Sequence, residues 1–313
     1  MSCSPIGTCL HSKTNRRPGE SLTRQSLADA SGVQDSVDSS LTDFRQRNEV
    51  ILRWDPHGKF LRFNEGNQIV QHLMVNYSKA KRYFENHDGE FDEILEPHQT
   101  LTITGTEDDE DTVDRPRWDA IDFLAGIDCE FRYVLDWGWV YPNMPSSNQQ
   151  DIIDRYVDRV KWFYEKKEEL GLDHVELIPL GKGLHREHYL RAVEVYEQLG
   201  VERIGMYGVQ TPSLKKFIWR TEQAIDVFDP EGVLVIGKQS PNEVAQLPDR
   251  VDGVAGFWAW KQACNLTAGG YSSEGLATWY YNTKEKLRNG RTNRQIGLNA
   301  GLHGEVRTDG RGR

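Results

Sequence analysis

From Trp118 onward, short apolar runs alternate with stretches in which apolar residues recur at helical spacing. The runs predict strands at 119–124, 131–136, 174–180, 202–207, 232–237 and 251–255. Helices are expected at 148–170, 185–199, 212–226, 241–247 and 272–289. In the first of these helices Ile152, Tyr156, Val160, Phe163 and Tyr164 form one apolar stripe, and Gly171 ends it. Gly200 ends the second on the same logic. Strands separated by single helices run parallel through right-handed crossovers. The pattern therefore predicts an α/β fold, either a doubly wound sheet or a TIM-type (β/α)8 barrel.

Ahead of Trp118 the pattern is different. Val50-Ile51-Leu52 and Lys59-Phe60-Leu61-Arg62-Phe63 read as two short strands about a turn at Asp55-Pro56-His57-Gly58. Residues 69–84 have helical spacing, with Ile69, Leu73, Tyr77 and Lys81 on one side, and 100–104 alternates like a strand. This zone, 47–117, is expected to be a small N-terminal α+β extension of a barrel domain spanning 47–290, whose βα units occupy 118–290. Glu107-Asp108-Asp109-Glu110-Asp111 reads as a solvated loop. Residues 1–46 are polar and nearly free of aromatics, a composition that cannot bury enough surface to offset its ordering entropy, so a disordered tail is expected. Residues 291–313 read as a flexible basic tail.

Composition narrows the class. The net charge of −10 over 313 residues does not favour indiscriminate nucleic-acid binding, although it leaves room for a local basic surface. Four cysteines without a CxxC spacing argue against a disulfide scaffold and fit a reduced, cytoplasmic setting. No run approaches the ~18 apolar residues of a membrane span.

In parallel α/β folds ligands bind at the carboxyl ends of the strands. Asp136, followed by Trp137 and Gly138, would place a hydrogen-bond acceptor beside an aromatic wall, or it would merely cap a turn. Gly181, Gly208 and Gly237, the last two following Tyr207 and Ile236, would let a ligand approach the backbone. Gly181-Lys182-Gly183 could also cradle a phosphate. Asp252 is a candidate nucleophile or base near the start of its strand, where a structural role is equally open. His185 and His188 are three apart, a spacing that can bind zinc, but nothing completes the set and no metal is expected. Trp279-Tyr280-Tyr281, followed by Lys284, Lys286, Arg288, Arg291 and Arg294, could stack bases and contact phosphates, or form a solvated helix face.

The stretch from Tyr133 to Trp260 resembles the tRNA-guanine transglycosylase superfamily, including its DNA-modifying relatives. Leu135-Asp136-Trp137-Gly138 is similar to the family's Asp-Ser-Gly-Gly segment. Leu180 to Gly183 stands for its Gln-Gly-Gly block, and Ile204 to Val209 for its Gly-Gly-Leu strand end. Leu234 to Pro241 resembles the Met-Gly-Val-Gly-Thr-Pro block, ahead of Val251-Asp252-Gly253-Val254. The resemblance implies a TIM barrel that exchanges guanine for a 7-deazaguanine in tRNA or DNA without a cofactor, acting as a homodimer or beside an active homologous subunit. Asp136 would recognise the base and Asp252 would form the sugar adduct. Three departures stand against this. One register of the catalytic strand puts Ala255 at the nucleophile position, the family's zinc-binding cysteines are absent, and Leu180 and Trp137 replace family polar residues. The alternatives are a catalytically silent barrel that binds nucleic acid or a partner, and an unrelated barrel enzyme acting on a phosphorylated small molecule.

Overall fold

The structure is a computed structural model that describes residues 48–302, apart from 88–90, 92–93, 108–114, 210 and 212, with the backbone alone from 290 onward. The expected N-terminal tail, most of the acidic run and the end of the basic tail lie outside the described residues.

Eight parallel strands form a nearly closed barrel: β1 (Glu49–Arg53), β2 (His72–Asn76), β3 (Thr100–Thr104), β4 (Phe131–Leu135), β5 (Val175–Pro179), β6 (Arg203–Tyr207), β7 (Gly232–Ile236) and β8 (Val251–Gly256). They are ordered β5-β4-β3-β2-β1-β8-β7-β6. The helices of the described residues are α1 (Lys59–Asn64), α2 (Tyr77–Asn86), α3 (Arg117–Ala125), α4 (Ser146–Glu169), α5 (Arg186–Leu190), α6 (Val193–Gln198), α7 (Leu214–Phe228), α8 (Pro241–Val244), α9 (Trp258–Ala263) and α10 (Ser273–Leu302). This is the TIM-type (β/α)8 arrangement. No helix among the described residues is long and apolar enough to cross a membrane.

The zone expected as an extension supplies β1, β2 and β3, and β1 pairs with β8 to carry the sheet round. Four local expectations are corrected here. Lys59–Asn64 is a helix, because Phe60 and Phe63, three apart, both pack on Trp260. The stretch read as one helix from 69 splits at Asn76: Leu73-Met74-Val75 is buried as a central strand, and only then does α2 begin. Residues 117–125 form a helix rather than a strand, burying Ala120, Ile121, Phe123 and Leu124 on a helical stripe. Helix α10 continues to Leu302, past the boundary expected at 290.

The β5–β6 seam is the thinnest pairing of the ring. It is recorded as one bridge, Leu180 to Gly205, with the Gly181 amide donating to the Gly205 carbonyl at 2.8 Å. A Cβ on Gly205 would come within 2.7 Å of Leu180 Cδ2 and near Val134 and Ile178 as well, so these residues share the interior there. Tyrosines tie the outer helices to this part of the ring: Tyr156 donates to the Leu135 carbonyl at 3.1 Å, and Tyr196 to the Leu180 carbonyl at 2.9 Å.

At the amino ends of the strands the barrel is closed by charge pairs. Arg203 reaches Glu49 at 2.9 Å and Asp252 at 3.0 Å, while Arg132 reaches Glu49 at 2.8 Å and Glu176 at 3.0 Å. Burial by itself would raise the Glu49 carboxyl, but Arg203 and Arg132 outweigh it and hold the group well below the usual carboxylate range. His72, at the start of β2, shares a 2.7 Å hydrogen bond with Thr100, and burial chiefly lowers its pKa to about 4.

Candidate ligand-binding face at the strand ends

The carboxyl ends of the strands present a different surface. At the end of β1, Arg53 donates to Asn76 Oδ1 at 2.7 Å and to the Thr106 carbonyl at 3.3 Å, which fixes its guanidinium over the barrel mouth. Asp55 pairs with Lys79. Glu107 accepts from the Ser78 amide at 2.9 Å and the Ser78 hydroxyl at 2.8 Å, capping the start of α2. The same carboxylate pairs with buried Arg115, which lies 4.0 Å over the Tyr77 ring.

Asp136 leaves β4 fully buried and bonded to Lys182. Its Oδ1 also accepts from the Trp137 amide at 2.8 Å. The Lys182 ammonium donates to the Gly138 carbonyl at 2.6 Å and lies about 5 Å from the Trp139 and Tyr156 rings. Burial raises the Asp136 pKa despite Lys182 and the Trp137 amide, which both pull it down.

Three cavities open along this face. The first, about 450 Å³, lies over the β4, β5 and β6 ends and is lined by Trp139–Pro142, Leu180–Leu184, Tyr207, Thr211, Lys216 and Arg220. The second, also about 450 Å³, lies over β7, β8, β1 and β2 between Arg53, Lys79, Gln239, Phe257 and Trp258. The third, about 490 Å³, lies between them: it shares Tyr207 with the first and Arg53, Asn76 and Lys79 with the second. Their walls carry the cations Arg53, Lys79, Arg82, Lys182, Lys216 and Arg220, against the carboxylates Asp55, Glu107 and Glu243. Trp258, 68% exposed, stands at the rim of the second cavity.

The sequence-predicted residues divide between the two ends of the barrel. Gly181 and Tyr207 line the first cavity, with the Tyr207 and Trp139 rings 4.8 Å apart. Gly237 lines the second with φ +98°, and a Cβ there would meet Val209 at 2.4 Å. Gly138 has φ +64°, which turns its carbonyl to Lys182. Gly208 packs against Phe217 and Lys238, where a Cβ would come to 3.0 Å of both, so its role is packing. Trp137 is partly buried and serves Asp136 through its amide. Asp136 sits beneath Lys182 rather than on a cavity wall.

Asp252 is the main correction. It is the second residue of β8, at the amino end, and its carboxylate is bonded to Arg203 in the charge network. The expected pairing of Asp136 with Asp252 in one catalytic site does not form, because the two lie at opposite ends of the barrel. On β8, Ala255 is fully buried and Gly256 opens on the second cavity. The expected aromatic-basic surface also changes: Trp279 and Tyr280 are core residues, and Lys284 bonds to Gln71 at 3.1 Å, just ahead of β2 and so toward the amino end of the barrel. His185 and His188 lie with their rings 4.0 Å apart, and among the described residues no group of three His, Cys, Asp or Glu side chains is placed to hold a metal.

Arg53, Asp55, Lys79, Arg82 and Trp258 were missed. The signal for Arg53 and Asp55 was the strand β1 itself, since charged residues at or just past the end of a barrel strand belong to its carboxyl end; Lys79 and Arg82 follow β2, which was read as part of a helix. A scan of the chain against protein-family profiles and a search of curated proteins both return no match.

Proposed function

We propose that the carboxyl-end face of this barrel binds nucleic acid, and that it does so as a transglycosylase-like scaffold without forming an aspartyl-sugar adduct. One observation carries the reading: in a chain of net charge −10, six cations against three carboxylates line three adjacent cavities on this face. A cationic arc on an acidic protein attracts an anion locally without making the whole surface sticky. Each cavity falls in the size range of a small-ligand site, and the row of three suits an extended ligand. Tyr207 and Trp258 offer ring faces on which bases stack.

For such an adduct β8 brings no carboxylate to this face. Asp252 is committed to Arg203 at the far end, and β8 ends at the face in Ala255 and Gly256. The chain then acts as a binding protein or as the non-catalytic partner of an active homologue.

The test has two arms. Fluorescence anisotropy with labelled tRNA, single-stranded RNA and single-stranded DNA should show binding that weakens steeply with salt. Incubation of the same polymers with labelled guanine should leave no label in them. Absence of binding to all three polymers would remove the proposal. Label incorporated by the wild type and lost in Asp252→Ala would replace it with the enzymatic reading.

A further inference from the structure

We infer that the first cavity is a pocket for a terminal phosphate monoester, the group carried by a nucleotide or by a phosphorylated nucleic-acid end. The inference rests on the reading of the face as an anion-binding one, and it names the specificity of one part of that face. Among its lining residues this cavity has three cations, Lys182, Lys216 and Arg220, and no carboxylate. The second and third cavities each mix the two signs.

Two of the three cations are built into the wall. Lys182 is 8% exposed. An ammonium has three N–H donors; Asp136 and the Gly138 carbonyl take two, which leaves one without a hydrogen-bonded acceptor among the described residues, beside the Trp139 ring and the cavity that Lys182 and Trp139 both line. Arg220 donates to Thr211 Oγ1 at 2.6 Å and to the Gly183 carbonyl at 2.7 Å, so its guanidinium is held at the wall. Its Nε is buried with no hydrogen-bond partner among the described residues. Lys216 is exposed at the rim.

Asp136 completes the logic from below. It neutralises Lys182 in the absence of ligand, so a buried ammonium need not stand alone. A net charge of about +2 then faces the cavity, matched to the near-dianion that a monoester carries at neutral pH. An internal phosphodiester carries only one charge, so the pocket discriminates in favour of a chain end or a small monoester.

The experiment compares 5′-phosphorylated with 5′-hydroxyl oligonucleotides of one sequence by anisotropy, and a nucleoside 5′-monophosphate with its nucleoside by calorimetry. The phosphorylated member of each pair should bind about tenfold or more tightly, as loss of a charged hydrogen-bond partner implies. Lys216→Gln, at an exposed position, should narrow both preferences, and Lys182→Met should abolish them. The wild-type comparison keeps the test decisive should Lys182→Met fail to fold. A preference for the free monophosphate alone supports the pocket and assigns it to small monoesters; a preference for the oligonucleotide end assigns it to nucleic acid. Oligonucleotides that bind equally well with and without the phosphate, together with nucleosides that match their monophosphates, would overturn the pocket and leave the polymer reading standing. Monophosphate binding without any polymer binding would do the reverse.

Discussion

Arg203 is the residue on which the amino end of the barrel turns. Replacing it with Met would leave Glu49 and Asp252 buried without their shared partner. Breaking such a pair from one side costs about 3–5 kcal/mol, so R203M should lower the thermal midpoint steeply and leave no altered binding at the far face. Two histidines set the response to acid. Burial chiefly lowers both His72 and His188 to about 4, and the His188 ring accepts from the Leu184 amide at 3.1 Å, a role that a protonated Nδ1 cannot play. The unfolded chain takes up these protons near pH 6.5 and the folded chain only near pH 4. Stability therefore falls as pH drops through that window. Denaturant titrations from pH 7 to 4 should show the fall, and H72Q combined with H188Q should flatten it. An unchanged slope in the double variant would show that other groups govern acid unfolding. Glu49 acts lower down: held below its ordinary range, it contributes stability above pH 4.5 that is lost only in stronger acid.

At the scale of the element, the β5–β6 seam is the place where small residues matter. Gly205→Val would drive a branched side chain into Leu180, Val134 and Ile178. Overpacking of this kind costs about 1–3 kcal/mol, to be read as a drop in denaturant midpoint relative to wild type. The legibility of the elements followed their length and their neighbours. Strands β4 to β8 were readable because each is a short apolar run followed by a long amphipathic helix or a clear stop. Helices α1 and α3 were not, because a run such as Ile121-Asp122-Phe123-Leu124 is apolar enough for either structure, and only packing on a partner decides. Strand β2 was hidden for the opposite reason: Leu73-Met74-Val75 adjoins α2 without a turn, so one periodicity blurs into the next. The stripe of α4 was read nearly right, but Ile153 and Val157 carry the burial that the sequence assigned to Ile152 and Tyr164.

At the scale of the whole molecule, the two ends of the barrel carry separate duties: one is locked by internal charge pairs, the other lines its cavities with cations, of which Arg82 and Lys216 are exposed. This yields a direct comparison. Arg82→Glu with Lys216→Glu should reduce the slope of log K against log salt by about 1.4–1.8, the loss of two phosphate contacts. Lys284→Glu with Lys286→Glu, on α10, should leave that slope unchanged. Equal effects from the two pairs would mean that the polymer does not choose the carboxyl-end face. The candidate site was half legible for a related reason. Asp136, Gly181, Tyr207 and Gly237 were legible as carboxyl-end residues because they end or follow readable strands. Asp252 does not reach this face: its place near the start of the strand was legible, two residues into β8 it is at the amino end, and its catalytic role came from the resemblance. The thin seam has one more consequence, in time rather than in space. Other neighbouring strands pair over three to five positions, so a ring held by a single bridge between β5 and β6 loosens there first. The Gly181 amide should exchange its hydrogen for deuterium well before those of β7, and a ligand clasped by Lys182 and Arg220, which reach the first cavity from either side of that gap, would slow the exchange like a stitch drawn across a split.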